Sequence, residues 1–429
     1  MRFHPKRSKE SGQTLVIVAV ALLTLFAMGT LAIDLTTLYS ARGEMQRTAD
    51  AAALAGAKAF VESGTTTAPQ DTNLQQLAQN IGNAYVNATL QVNTVEGVVP
   101  QLAGGAARYN FSHLGNPQVT VTVQRTDVPT FFAHVFGVKM STVSATATAE
   151  AYNSSNPGTA GANTMPPVSP QAVKPWMVIN IDQNHAGAPF VNADGTLPNP
   201  GPYTYLAPPA TDYQCPPAGG SGGIVGECLV LVNRFGNSSP LPNPGYLPAN
   251  VPISPGGELC PSACSAGDNF VQSIACFDSA NAAQYSCPTT APVPTVDAGN
   301  DNADTATGAN CLENIPGGTG NAQDTIDFQD FPIGPHLITS SSSLHSGGVN
   351  TSNQVITLPI ISNILTGNQA SIMGYMEAFL VAEDAPTGNL TVYVLNVSGC
   401  GSNIAPATPA NPAISGGGVS PVPVRLIHQ

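Results

Sequence analysis

The chain has 429 residues, of which 42% are hydrophobic and only 9% charged, and its formal net charge is −13. This acidic balance excludes a nucleic-acid binder, whose affinity rests on Lys and Arg at phosphates. With 42 Gly and 38 Pro the chain is rich in turns and loops, the composition of an extracytoplasmic protein more than of a cytosolic enzyme.

Arg2, Lys6, Arg7 and Lys9 crowd the amino terminus, and no charge follows between Ser11 and Ile33. Residues 15–33 read LVIVAVALLTLFAMGTLAI. At helical rise they span about 28 Å, the thickness of a bilayer's hydrocarbon. We read residues 1–13 as a cytoplasmic basic segment and 14–34 as a transmembrane helix, with the remainder outside. The apolar run is longer than that of a cleaved signal peptide, and no small-x-small site follows closely. Asp34 marks the end of the span.

Residues 35–60 are rich in Ala and other good helix formers, so the helix is expected to continue outward. Leu38, Met45, Ala49, Ala52 and Ala53 recur at helical spacing. That face is either an assembly surface or packed on its own domain. Residues 73–90 read as a second helix, weakened by Gly82. Val119, Val121 and Val123 alternate with polar residues, as do Val143, Ala145, Ala147, Ala149 and Ala151. These are two half-buried strands, plausibly antiparallel. Between them, FFAHVF (131–136) forms a short helix stopped by Gly137, assigned to core packing rather than to a docking patch.

The string in residues 12–57 resembles the amino-terminal segment of TadG-like proteins of the Tad (tight adherence, Flp-type) pilus-assembly system. The resemblance rests on Gly12-Gln13, Ala32-Ile33-Asp34, Leu38-Tyr39, Arg42, Met45-Gln46 and the run Ala49 to Ala57. It extends more loosely to about residue 151. It implies a single-pass, non-enzymatic protein of the bacterial inner membrane, with Tad pilus-assembly or pilin-like proteins as partners. Many members carry a von Willebrand A-type domain, whose metal site needs Asp-x-Ser-x-Ser after a buried strand. The nearest candidate here is Asp182, with Asn184 and Ala186 where the serines belong. A processed pilin-like subunit is the alternative, but Ile17 stands where such precursors carry Glu.

Residues 35–151 thus form a helical stalk and a small α+β domain, 152–175 a linker, and 176–429 a β-rich, loop-rich outer region. Expected strands are 176–181, 355–361 with Pro359 marking an edge or bend, and a hairpin of 372–381 and 390–397. All eight cysteines lie here: Cys215, Cys228, Cys260, Cys264, Cys276, Cys287, Cys311 and Cys400. An even count in a loop-rich region points to disulfides in an oxidising compartment. Eight cysteines allow many pairings, and the spacing does not choose among them. No catalytic, cofactor or metal residue is assigned, which counts against the contrasting alternative, a secreted or anchored enzyme. Gly219-Gly220-Ser221-Gly222-Gly223 has nucleophile-elbow lettering without the strand and helix around it. Asp297, Asp301 and Asp304, and Asp324, Asp327 and Asp330, are acidic clusters without an EF-hand pattern. His336 and His345 have no clear partner.

Overall fold

The computed structural model describes residues 11–112, 115–156, 170, 173–204, 215, 222–236, 240–242, 245–249, 269–276, 290–292, 301–313, 324–327, 337–340, 347–348, 352–365, 369–400 and 420–427. The architecture is α+β, led by a long apolar helix, as the sequence led us to expect.

Helix α1 (Ser11–Glu62) is one continuous rod of 52 residues. Its apolar first half is exposed, and its Ala-rich second half is buried. The second half lies on α2 (Thr72–Val92) and on a sheet built from β1 (Gln101–Leu102), β2 (Arg108–Asn110), β3 (Gln118–Pro129) and β4 (Met140–Ala151). Strands β3 and β4 pair antiparallel, with Val121 opposite Ala147 and Val123 opposite Ala145. Their Val and Ala side chains turn inward, because strand side chains alternate faces. On the other face Thr120 meets Thr148, and Thr122 meets Thr146, each pair of hydroxyls 3.0 Å apart.

Ala41, Met45, Ala49, Ala52, Ala53 and Ala57 of α1 close over this layer and are buried. The small-residue face therefore packs on its own sheet and is not free for a partner helix. Small side chains on both surfaces bring helix and sheet close. Asp71 caps α2 by accepting the N–H groups of Asn73 and Leu74. Gly82 weakens the helix for a reason: a Cβ there would stand 2.5 Å from the Tyr109 hydroxyl.

The outer region contributes β5 (Trp176–Ile179), β6 (Cys228–Leu231), β7 (Tyr246–Pro248), α3 (Asn269–Ala275), β8 (Thr290–Pro292) and α4 (Asp301–Leu312). Then come β9 (Asp324–Asp327), β10 (Leu337–Ser340), β11 (Gly347–Gly348), β12 (Val355–Ile361), β13 (Gln369–Asp384) and β14 (Asn389–Gly399). The large sheet has the order β6-β14-β13-β12-β5-β7, with β8 also on β13, and β9 to β11 form a small sheet of their own. The hairpin of β13 and β14 is the expected one, closed by a turn in which Gly388 has φ +69°. Strand β12 lies inside the sheet, not at its edge. Pro359 pairs in register with Tyr375, and the register shifts just after it, between Ile360 and Ile361. Trp176, Tyr246, Tyr375, Phe379 and Tyr393 are among the largest buried side chains. Burying each stabilises the sheet by about 1.5–3 kcal/mol relative to exposure.

The two sheets are joined by a polar seam. After α1 the chain turns through Ser63, Thr65, Thr66 and Thr67, all buried. Asn396 of β14 receives the hydroxyls of Thr66 (2.8 Å) and Thr67 (3.2 Å) on its Oδ1. Its amide donates to the Val61 carbonyl (2.7 Å) and to Glu377 (2.9 Å). Asn153, just past β4, donates to the carbonyls of Thr66 and Val397. Here the stretch expected to be a linker begins as part of the joint. Its far end is also anchored: Lys174 is buried and donates to the carbonyls of Ile274 and Cys276, at the carboxyl end of α3.

One connection was not foreseen. The last strand, β15 (Val424–Ile427), returns to the first sheet and pairs antiparallel with β4, Leu426 opposite Ala149. Arg425 places Nη2 at 2.5 Å from Glu150. The large sheet is thus entered from β4 and left through β15.

Candidate membrane-proximal site

The exposed half of α1 carries Leu15, Leu23, Leu25, Phe26 and Met28 on its surface. Among the described residues, this is the helix long and apolar enough to cross a membrane. Thr24 and Thr30 return their hydroxyls to carbonyls one turn back, so they expose no unpaired donor.

At the end of that run Asp34 does more than mark a boundary. It is 5% exposed, and its carboxylate accepts three consecutive backbone N–H groups: Phe131 at 2.9 Å, Phe132 at 3.1 Å and Ala133 at 2.7 Å. These donors open the 3-10 turn Ala133–Phe136, where helical N–H groups lack partners of their own. Gly137, at φ 92°, ends the turn, and its N–H returns to the His134 carbonyl. The β3–β4 connection is thereby clamped to the helix at the point where the apolar run stops.

The clamp leaves apolar side chains outside. Phe131 is 61% exposed, Met140 62% and Val138 50%. Leu35 and Tyr39 of α1 are exposed near the same level of the helix. Core packing of the FFAHVF segment therefore fails for Phe131. The reason is the cap: Asp34 holds the Phe131 backbone at α1, beyond the core between that helix and the sheet. The sequence signal for this role was the Asp in Ala32-Ile33-Asp34, which local periodicity cannot interpret.

The other candidate residues scatter. Cys215 and Cys228 form a disulfide with Cα atoms 5.5 Å apart. Cys276, Cys311 and Cys400 are also disulfide-bonded. Cys260, Cys264 and Cys287 lie outside the described residues, as do His336, His345, Asp297, Asp330 and Ser221. Of the first acidic cluster, Asp301 and Asp304 fall in α4. The neighbouring Asn302 is engaged structurally, accepting from Asn233 and donating to the Pro386 carbonyl. Of the second, Asp324 and Asp327 fall in β9, and Asp324 is buried and bonded to Ser352 and Gln354. Asp182 follows β5, which pairs parallel with β12 in a sheet whose other strand-to-strand ladders are antiparallel.

Residues 12–59 match the family model described as Flp pilus-assembly TadE/G-like. Residues 37–149 match the one described as Tad-like Flp pilus-assembly. Together they cover α1, α2 and the β1–β4 sheet, and they end just before the chain enters the outer region. No curated protein and no solved structure matches the chain.

Proposed function

We propose that this chain, whose residues 12–149 carry the Flp pilus-assembly match, is a membrane-anchored, non-enzymatic protein of Flp-type pilus assembly. The observation that carries the reading is the single helix α1. It is apolar and exposed over residues 15–33 and then runs unbroken into the packed, family-matched layer. The basic residues ahead of it favour a cytoplasmic amino terminus. The disulfides favour an oxidising space for the rest. In this arrangement Phe131, Val138 and Met140 rest against the lipid headgroups beside the emerging helix, and the outer sheet is offered to pilus components.

Two measurements in the native host test this. Alkaline extraction of membranes leaves the wild-type chain in the pellet, whereas a Leu23→Arg, Phe26→Arg double substitution releases or eliminates it. Deletion of the gene lowers the number of surface pili. Undiminished pili in the deletion strain contradict the assembly role, and an extractable wild-type chain contradicts the anchor.

A further inference from the structure

After β5 the chain closes a tight loop. The Asp182 N–H donates to the Ala188 carbonyl (2.7 Å), and the Gly187 N–H donates to the Asp182 carbonyl (3.0 Å). Ala186 takes φ 55° and Gly187 φ 82° to make this turn. Asp182 Oδ1 accepts the Asn184 N–H at 2.8 Å, while Oδ2 lies 2.6 Å from His185 Nδ1. From a separate segment Glu227, the residue before β6, brings Oε1 to 3.0 Å from the same nitrogen.

His185 Nε2 is 2.7 Å from the Gly222 carbonyl. A carbonyl can only accept, so Nε2 carries a proton, and in neutral histidine Nδ1 is then a lone pair. With Nδ1 unprotonated, three acceptor atoms from two segments face one another, all within 4.8 Å. Both carboxylates are 1% exposed. No well-formed hydrogen bond among the described residues reaches Glu227 Oε2. Two buried carboxylates beside this nitrogen are stable only with a shared proton or a cation between them.

We propose that Asp182, His185 and Glu227 form a binding site for a divalent transition-metal ion of the zinc type. One imidazole nitrogen and two carboxylate oxygens suit such an ion. Calcium, which takes six to eight oxygens, is poorly served. The Nε2–H to carbonyl bond is the outer support typical of a metal-ligating histidine, fixing its tautomer and ring orientation. Ligands around a tetrahedral ion at about 2 Å stand roughly 3.3 Å apart, so the ion spreads these donors by a few tenths of an ångström. His185 is partly exposed, which leaves a side open for water or a partner's donor. The Cys215–Cys228 disulfide brackets Gly222 and Glu227 and ties their loop to β6.

The test uses the full chain in detergent, without reductant and freed of metal by a chelator. Titration with Co²⁺ produces visible d–d absorption that saturates at one equivalent and is displaced by Zn²⁺. Glu227→Gln and Asp182→Asn each weaken binding at least about tenfold, and Asp194→Asn, at an exposed carboxylate, leaves it unchanged. Emission from Trp176, the one tryptophan of the chain, reports that each variant is folded. Should a variant not fold, the wild type decides through one bound zinc in native mass spectrometry and a higher melting temperature with Zn²⁺. Absence of both overturns the proposal. So does binding unchanged in folded Glu227→Gln and Asp182→Asn, and the cluster is then a protonated His185 paired with carboxylates.

Discussion

The two large sheets are held together by different chemistry. In the first, Ala49, Ala52, Ala53 and Ala57 of α1 lie on Val121, Ala145, Ala147 and Ala149, and the fit depends on smallness. In the second, Trp176, Tyr246, Leu358, Met376 and Leu380 fill the core, and the fit depends on bulk. The first layer gains close approach and has no room to expand. The second gains burial and is vulnerable to truncation. Between them the contact is neither: Thr66, Thr67, Asn153 and Asn396 make a buried seam of hydrogen bonds.

Opposite substitutions break this contrast most sharply. Trp176→Ala leaves a cavity in the large sheet and costs about 3–5 kcal/mol, read by denaturant unfolding with circular dichroism. A loss below about 1 kcal/mol breaks the comparison. Next in size is a pH effect at the joint. Burial foremost raises the Glu377 carboxyl to about 7, against the opposing hydrogen bonds of Ser420 and Asn396. Between its unfolded value of 4.5 and that figure the folded chain holds a proton that the unfolded chain lacks. Stability therefore falls as pH rises through this window, by roughly 3 kcal/mol in total. Glu377→Gln flattens that slope, and an unchanged slope in the variant removes Glu377 from the account.

Overpacking tests the first layer. Ala52→Leu forces extra methyl groups between α1 and the sheet and costs about 1–3 kcal/mol, while Ala52→Gly costs less, near the helix-propensity difference of about 1 kcal/mol. A neutral Ala52→Leu, judged by melting of the helical signal, denies the close fit. Smallest is the clamp. Asp34→Ala removes the acceptor of three N–H groups and costs about 1–2 kcal/mol, with faster hydrogen exchange at residues 131–133. Unchanged exchange there contradicts the capping role.

The first layer was legible because its signals are local and periodic. Val119, Val121 and Val123 alternate, and the Ala face of α1 repeats at helical spacing, so strand and helix follow from neighbours in the chain. The hairpin of β13 and β14 was legible for the same reason, with its turn residues between two apolar runs. The contacts that were missed join residues far apart. Nothing near Val424 names β4 as its partner, and nothing near Asn396 names the threonines after α1. Asp34 looked like a boundary because its three donors lie in the β3–β4 connection. Asp182 was noticed only as the failed start of a serine-containing motif. Its neighbour His185 and the distant Glu227 acquire meaning once the fold brings the loop after β5 against the residue before β6.

The central claim is that the outer sheet is built into the first layer through the seam and β15. Trp176 emission follows the large sheet alone, whereas helical circular dichroism is dominated by α1 and α2. Equilibrium denaturation of the full chain in detergent, read by both probes, tests the claim directly. Coincident transitions that Asn396→Ala shifts together to lower denaturant are the predicted result. Two separate transitions, with Asn396→Ala moving only the emission change, would show an independent outer unit and contradict it.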